Sequence, residues 1–166
     1  MWYVLYCPNQ KEQDIIRSCR QHLTDKALTD AFCFTYDRMR RYEGSWHVER
    51  QSMFPDYVFL ESEDGERLAK ELEQYRKVLT VLGGGDVLTP VHRDEEQFLL
   101  GLCGGTHHSG MSRGYIRDGH TYVTEGPLQG KERLIRKIDR HKRLARLEMP
   151  GSSRGVNVGL EIYDKV

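Results

Sequence analysis

Residues 125–143 read EGPLQGKERLIRKIDRHKR, and residues 144–149 continue LARLEM. Two periodicities compete here. Leu134, Ile138, His141 and Ala145 fall on one side of a helix. Residues 133–138 and 143–149 also read as two short strands joined by the turn DRHK at 139–142. Gly126, Pro127 and Gly130 before this stretch, and PGSSRG at 150–155 after it, favour strands. The neighbouring segments then fall into line. Residues 115–116 and 121–124 are strand-like around Asp118 and Gly119, and residues 156–163 alternate again. Five short strands in about fifty residues read as a small β-barrel.

The same stretch concentrates charge. Residues 131–146 hold eight basic and two acidic side chains. The whole chain of 166 residues has 25 of each sign, a formal net charge of zero, which on its face argues against a polyanion partner. The total hides a division. Residues 1–110 carry 13 Lys or Arg against 18 Asp or Glu, and residues 111–166 carry 12 against 7. An acidic front of net −5 precedes a basic back of net +5.

Upstream, GGTHHSGM at 104–111 has no apolar periodicity and reads as a flexible linker. Before it come strand WYVLY at 2–6, then a helix over 10–23 with Ile15, Ile16, Cys19 and Leu23 on one face and Asn9 as N-cap. Residues 31–36 read as a strand. Residues 38–42 and 46–51 flank EGS at 43–45 as a hairpin, FPD at 54–56 is a turn, and 57–60 is a strand. Helices follow over 65–77, with Leu68, Leu72 and Tyr75 as apolar stripe, and over 94–103, with a short strand expected at 78–82 between them. The order is that of an α+β fold, an antiparallel sheet flanked by helices. The expected organisation is a domain at 1–103, a linker at 104–111 and a β-barrel at 112–166.

Composition and motifs weigh against catalysis. No run of about 18 apolar residues exists to cross a membrane, and the N-terminus carries no basic leader or cleavage site. Cys7, Cys19, Cys33 and Cys103 form no CxxC pair and fit a reducing cytoplasm. Cys103, His107 and His108 are three candidate metal ligands, but a buried thiol beside two linker histidines is the plainer reading. Gly83, Gly84, Gly85 and Asp86 lack the spacing of a phosphate loop and read as a strand-end turn. Glu95 and Glu96 are adjacent on a helix and point apart, and no GxSxG nucleophile motif occurs. The expectation is a protein that binds, with no cofactor and no metal.

Two binding surfaces are expected. Lys131, Arg133, Arg136, Lys137, Arg140, His141, Lys142 and Arg143 suit a phosphate backbone, where Arg offers a fork and Lys a point charge. At the front, Trp2, Tyr3, Tyr6, Phe54, Tyr57 and Phe59 are many aromatics for two short strands. Whatever the helices leave uncovered is suited to a protein partner.

These motifs resemble the NusG family. WYVLY at 2–6, a helix, then FPDYVF at 54–59 is similar to its N-terminal (NGN) domain, with Asp56 where the family usually has glycine. EGPLQGK at 125–131 through IDRHKR at 138–143 resembles its KOW motif, although a bulkier residue replaces a glycine near Arg133. The resemblance implies an NGN domain joined to an SH3-like KOW barrel. It implies binding to the clamp helices of the largest RNA polymerase subunit through Tyr6, Phe54, Tyr57 and Phe59. The basic KOW segment looks most like the LoaP branch, which implies antitermination and recognition of an RNA hairpin in a leader. A cytoplasmic monomer that contacts polymerase and nascent RNA, and no membrane, is the expected whole. A ribosome-associated KOW module, a general elongation factor and a small phosphate-loop enzyme are the alternatives.

Overall fold

The aromatic segments at 2–6 and 57–60 meet as neighbouring strands in the computed structural model, which describes residues 1–8, 11–81, 88–151 and 154–166. Along the chain lie strands β1 (Trp2–Tyr6), β2 (Asp30–Phe32), β3 (Thr35–Tyr42), β4 (Ser45–Ser52), β5 (Tyr57–Glu61) and β6 (Leu88–Pro90). Helices α1 (Glu12–His22), α2 (Gly65–Gln74), α3 (Arg76–Val81) and α4 (Arg93–Cys103) are interleaved with them. Strands β7 (His108–Ser109), β8 (Ser112–Arg117), β9 (His120–Glu125), β10 (Ile135–Asp139), β11 (Leu144–Glu148) and β12 (Gly155–Lys165) follow. The architecture is α+β, in two compact units. One comprises Met1–Cys33 with Phe54–Glu96, the other Phe34–Met53 with Gln97–Val166.

In the first unit the sheet order is β2-β5-β1-β6, with β5 antiparallel to both β2 and β1. Side chains alternate across a strand. Leu5, Val58, Leu60 and Ala31 therefore share one face, buried in a cluster with Ile15, Ile16 and Cys19 of α1 and Leu68 and Leu72 of α2. Asp64 caps α2 by accepting the Arg67 N–H at 3.1 Å. Glu71 is buried and accepts the Thr24 N–H and hydroxyl at 2.8 Å each; these bonds, with Arg67, hold its carboxyl below the usual range.

The short strand expected at 78–82 is helical instead as far as Val81. Leu68, Leu72, Tyr75 and Leu79 continue one stripe at helical spacing, and the Leu79 N–H donates to the Tyr75 carbonyl. The expected glycine turn at 83–86 and the expected cap Asn9 lie outside the described residues.

Asp56 has φ = 72°. That left-handed conformation costs an L-residue about 1–2 kcal/mol, which explains a glycine preference at this turn. Asp56→Gly is expected to stabilise the protein by about 0.5–1 kcal/mol once glycine's greater unfolded-state freedom is subtracted. Urea unfolding checks this, and an unchanged midpoint would show that the turn stores no strain.

In the second unit β3 and β4 pair along their whole length, from Thr35 opposite Ser52 to Tyr42 opposite Ser45. Glu43 (φ 53°) and Gly44 (φ 78°) make the two-residue turn, a geometry matched to strand twist. Residues 104–111, expected as a linker, carry a 3-10 turn at Gly104–Thr106 and strand β7, parallel to β3. His108 is engaged by the Thr35 hydroxyl at 2.7 Å and the Asp37 carboxylate at 2.9 Å. Burial pushes the Cys103 thiol up to about 12. Among the described residues no cluster of side chains suited to a metal occurs.

The competing periodicities resolve into strands at Ile135–Asp139 and Leu144–Glu148, while Arg133 and Leu134, expected in the first strand, lie in a 3-10 turn. Ala145 and Leu147 are buried while Arg146 between them is exposed, a period of two. With Val123, Leu128, Val156, Val158 and Leu160 they build this unit's core. The five strands form one sheet in the order β10-β11-β12-β8-β9. Among the described residues the sheet, expected as a small barrel, does not close: β9 and β10 are its two edges and do not pair. One physical reason is the 3-10 turn Glu132–Leu134 at the start of β10, where Glu132 accepts the Val123 N–H at 3.1 Å. That bond takes up an edge donor of β9 with a side chain.

Candidate protein and nucleic-acid interfaces

The second face of the first unit's sheet is aromatic. Register places Tyr6 opposite Tyr57, Val4 opposite Phe59, and Phe59 opposite Phe32. Trp2, Phe32, Phe54 and Phe59 pack together there, with ring centroids 5.4–6.3 Å apart, and all four are buried. Tyr6 and Tyr57 end this face. Their rings lie 5.5 Å apart and Tyr6 is 50% exposed. The four residues expected to face a protein partner therefore separate into two kinds. Tyr6 and Tyr57 reach the surface, and Phe54 and Phe59 support them from the core.

The eight residues expected to hold RNA also separate. Arg140, His141 and Lys142 are exposed in the turn between β10 and β11. Asp139 shapes that turn by accepting the Lys142 N–H at 2.9 Å, which keeps its carboxyl below the usual carboxylate range. Arg133, Arg136 and Lys137 line an open groove of about 560 Å³ along the two sheet edges, floored by Ile116, Ile135 and Ile138. Arg136 is tied to Glu148 at 3.1 Å. Lys131 donates to the Gly101 carbonyl.

Arg143 points elsewhere. Its guanidinium sits 3.8 Å from the centroid of the Trp46 ring, 3.3 Å from the Glu161 carboxylate and 3.2 Å from the Met39 sulfur. It has φ = 54° and joins the β3–β4 hairpin to the five-stranded sheet within the second unit. Nothing local marks this role, because Trp46 and Glu161 are remote in sequence. Among the described residues Arg133, Lys137, Arg140 and Lys142 form no ion pair, although the Asp139 carboxylate lies close enough to Lys142 to feel its charge.

Comparison with curated proteins gives no match to this chain. A family model described as transcription termination factor nusG matches residues 1–100, more than half of the chain. That span takes in the aromatic sheet, the β3–β4 hairpin and most of α4. The chain belongs to the NusG family of transcription factors.

Proposed function

We propose that the protein is a processive antitermination and elongation factor of the cytoplasm that acts by binding, as a monomer, with no catalytic step. Residues 1–103 bind the clamp helices of the largest RNA polymerase subunit. Residues 112–166 are a KOW-type domain of SH3-like descent that holds an RNA hairpin in the nascent transcript. The charge-rich turn supports a reading within the LoaP branch. No helix among the described residues is long and apolar enough to cross a membrane.

The observation that carries the reading is the Tyr6–Tyr57 pair. Two rings opposite each other on adjacent strands lie at the end of the face, Tyr6 exposed and Tyr57 half-buried, while Trp2, Phe32, Phe54 and Phe59 beside them are buried. Such aromatic anchors are enriched at the centres of protein interfaces. The exposed Arg140, His141 and Lys142 support the RNA half. Contact with polymerase and transcript together raises the effective concentration of each surface at its target. Preferential binding to elongating polymerase then shifts the enzyme away from paused states.

Tyr57→Ala and Tyr6→Ala are each expected to cut pull-down of RNA polymerase about tenfold, the loss of ~1.4 kcal/mol of an interface anchor. The melting temperature should stay unchanged. Undiminished pull-down would count against the polymerase surface. For RNA, Arg140→Ala and Lys142→Ala should each reduce the slope of log affinity against log salt by about 1 on a leader hairpin. Absence of hairpin affinity in the unmodified chain would remove the RNA half.

A further inference from the structure

The sheet of the second unit carries an aromatic face that the basic turn does not include. Along β8, Arg113, Tyr115 and Arg117 alternate onto one side, while Gly114 and Ile116 take the other. Tyr122 of β9 is the direct register partner of Tyr115. Tyr163 of β12 adjoins Tyr115 on the opposite side. The Tyr115 and Tyr122 rings are stacked with centroids 5.2 Å apart and planes at 22°, and Tyr163 lies 6.1 Å from Tyr115. Tyr122 and Tyr163 are each 46% exposed, so much of both rings meets solvent.

Cations are laid on these rings. Arg113 sits 5.0 Å from the Tyr163 centroid, and Arg117 sits 5.7 Å from that of Tyr115. Glu161 and Glu125 hold Arg113 at 3.1 and 3.8 Å. Arg117 has no carboxylate within ion-pair distance among the described residues. Three adjoining rings, the outer two nearly half exposed, with a guanidinium at one end that has no ion-pair partner among the described residues, match an extended polyanion that carries flat bases. A protein partner would have to supply a carboxylate for Arg117 and apolar groups for three polar-tipped rings.

We propose that Tyr115, Tyr122 and Tyr163 form a stacking platform for unpaired bases of RNA, with Arg117 taking an adjacent phosphate. The proposal rests on the RNA-binding reading and gives it a second element. The basic turn grips backbone phosphates. The tyrosine face reads single-stranded segments, because bases inside an A-form duplex are already stacked and offer no free face. Base–aromatic stacking tolerates any base, so the platform supplies affinity for a loop or flank rather than a sequence code.

The test uses the full chain and a fluorescein-labelled single-stranded oligoadenylate, read by anisotropy at several salt concentrations. Tyr122→Ala and Tyr163→Ala should each weaken binding roughly 5- to 100-fold. Tyr122→Phe and Tyr163→Phe should bind as the parent does, since the ring is retained. Stacking releases no counterion, so the alanine variants should keep the parent's salt slope, whereas Arg140→Ala lowers it. Circular dichroism of each variant confirms that these surface changes leave the sheet intact. Parental affinity in both alanine variants, or binding to a leader hairpin with none to oligoadenylate, overturns the platform and leaves the basic turn standing. Loss of polymerase pull-down in these variants with unchanged oligoadenylate affinity assigns the tyrosines to a protein partner and also overturns it. A chain that binds neither RNA removes the RNA-binding reading itself.

Discussion

Phe59→Ala is expected to lower the unfolding free energy by about 3–5 kcal/mol, the cost of removing a large aromatic from a packed core. Phe59 is 4% exposed and packs against other rings. Phe32 stacks nearly parallel at 5.9 Å, Trp2 stands edge-on at 6.3 Å, and Phe54 is tilted at 5.6 Å. Small domains hold a total of about 5–15 kcal/mol, so the change removes about a fifth of it or more. Polymerase binding would fall as well, but through loss of the folded state. Tyr57→Ala, two residues earlier on the same face, should reduce pull-down with the melting temperature intact. Phe59→Leu keeps most of the volume and should cost less than the alanine change. Urea unfolding followed by far-UV circular dichroism measures the difference. A Phe59→Ala protein as stable as the parent would show that the ring is not part of the core.

The second large effect is at Arg143. Arg143→Ala should cost about 2–3 kcal/mol, combining a partly desolvated cation–π contact with the loss of a charge partner. Both ends of the ion pair are sheltered, with 22% of the Arg143 side chain and 20% of the Glu161 side chain exposed. Glu161 keeps Arg113 at 3.1 Å, which limits the damage. Arg143→Lys should not restore stability, because a compact ammonium cannot lie flat on the Trp46 ring while also reaching Glu161. Trp46 fluorescence, recorded in a Trp2→Phe background, should change on substitution and report the loss of the stacked cation. Arg140→Ala is the contrasting variant. It should leave the melting temperature unchanged and weaken hairpin binding in a salt-dependent way. Stability that is insensitive to Arg143→Ala would return this residue to the set of solvent-facing phosphate contacts.

These two residues mark what could be read from the chain alone. Ile15, Ile16, Cys19 and Leu23 declared a helix face because burial of one side imposes a period near 3.6, and all four are buried. Glu43-Gly44 and Asp118-Gly119 declared turns because few residues accept positive φ, and all four have it. At 131–147 the local pattern supported helix and strand alike. The sheet decided it, since Ala145 and Leu147 are buried beneath partners supplied by β12, and Arg146 pairs opposite Asn157.

The aromatic and basic candidates show the same limit at the level of the site. The family resemblance marked Tyr6, Phe54, Tyr57 and Phe59 as one group, because motif and strand position do not reveal depth. Cross-strand register separates them, placing two rings at the end of the face and two beneath it. Composition also marked eight basic residues together. Only a fold that brings Trp46 of the hairpin and Glu161 of β12 to the same point could withdraw Arg143 from that group. The tyrosine face is only half local: the β8–β9 hairpin brings Tyr115 and Tyr122 together, but Tyr163, 48 positions after Tyr115, joins them only when β12 lies parallel to β8. Charge division, turn chemistry and periodicity are local or additive properties and belong to the sequence by itself. Depth, cross-strand pairing and the meeting of remote side chains depend on long-range contacts, and only the tertiary structure decided those.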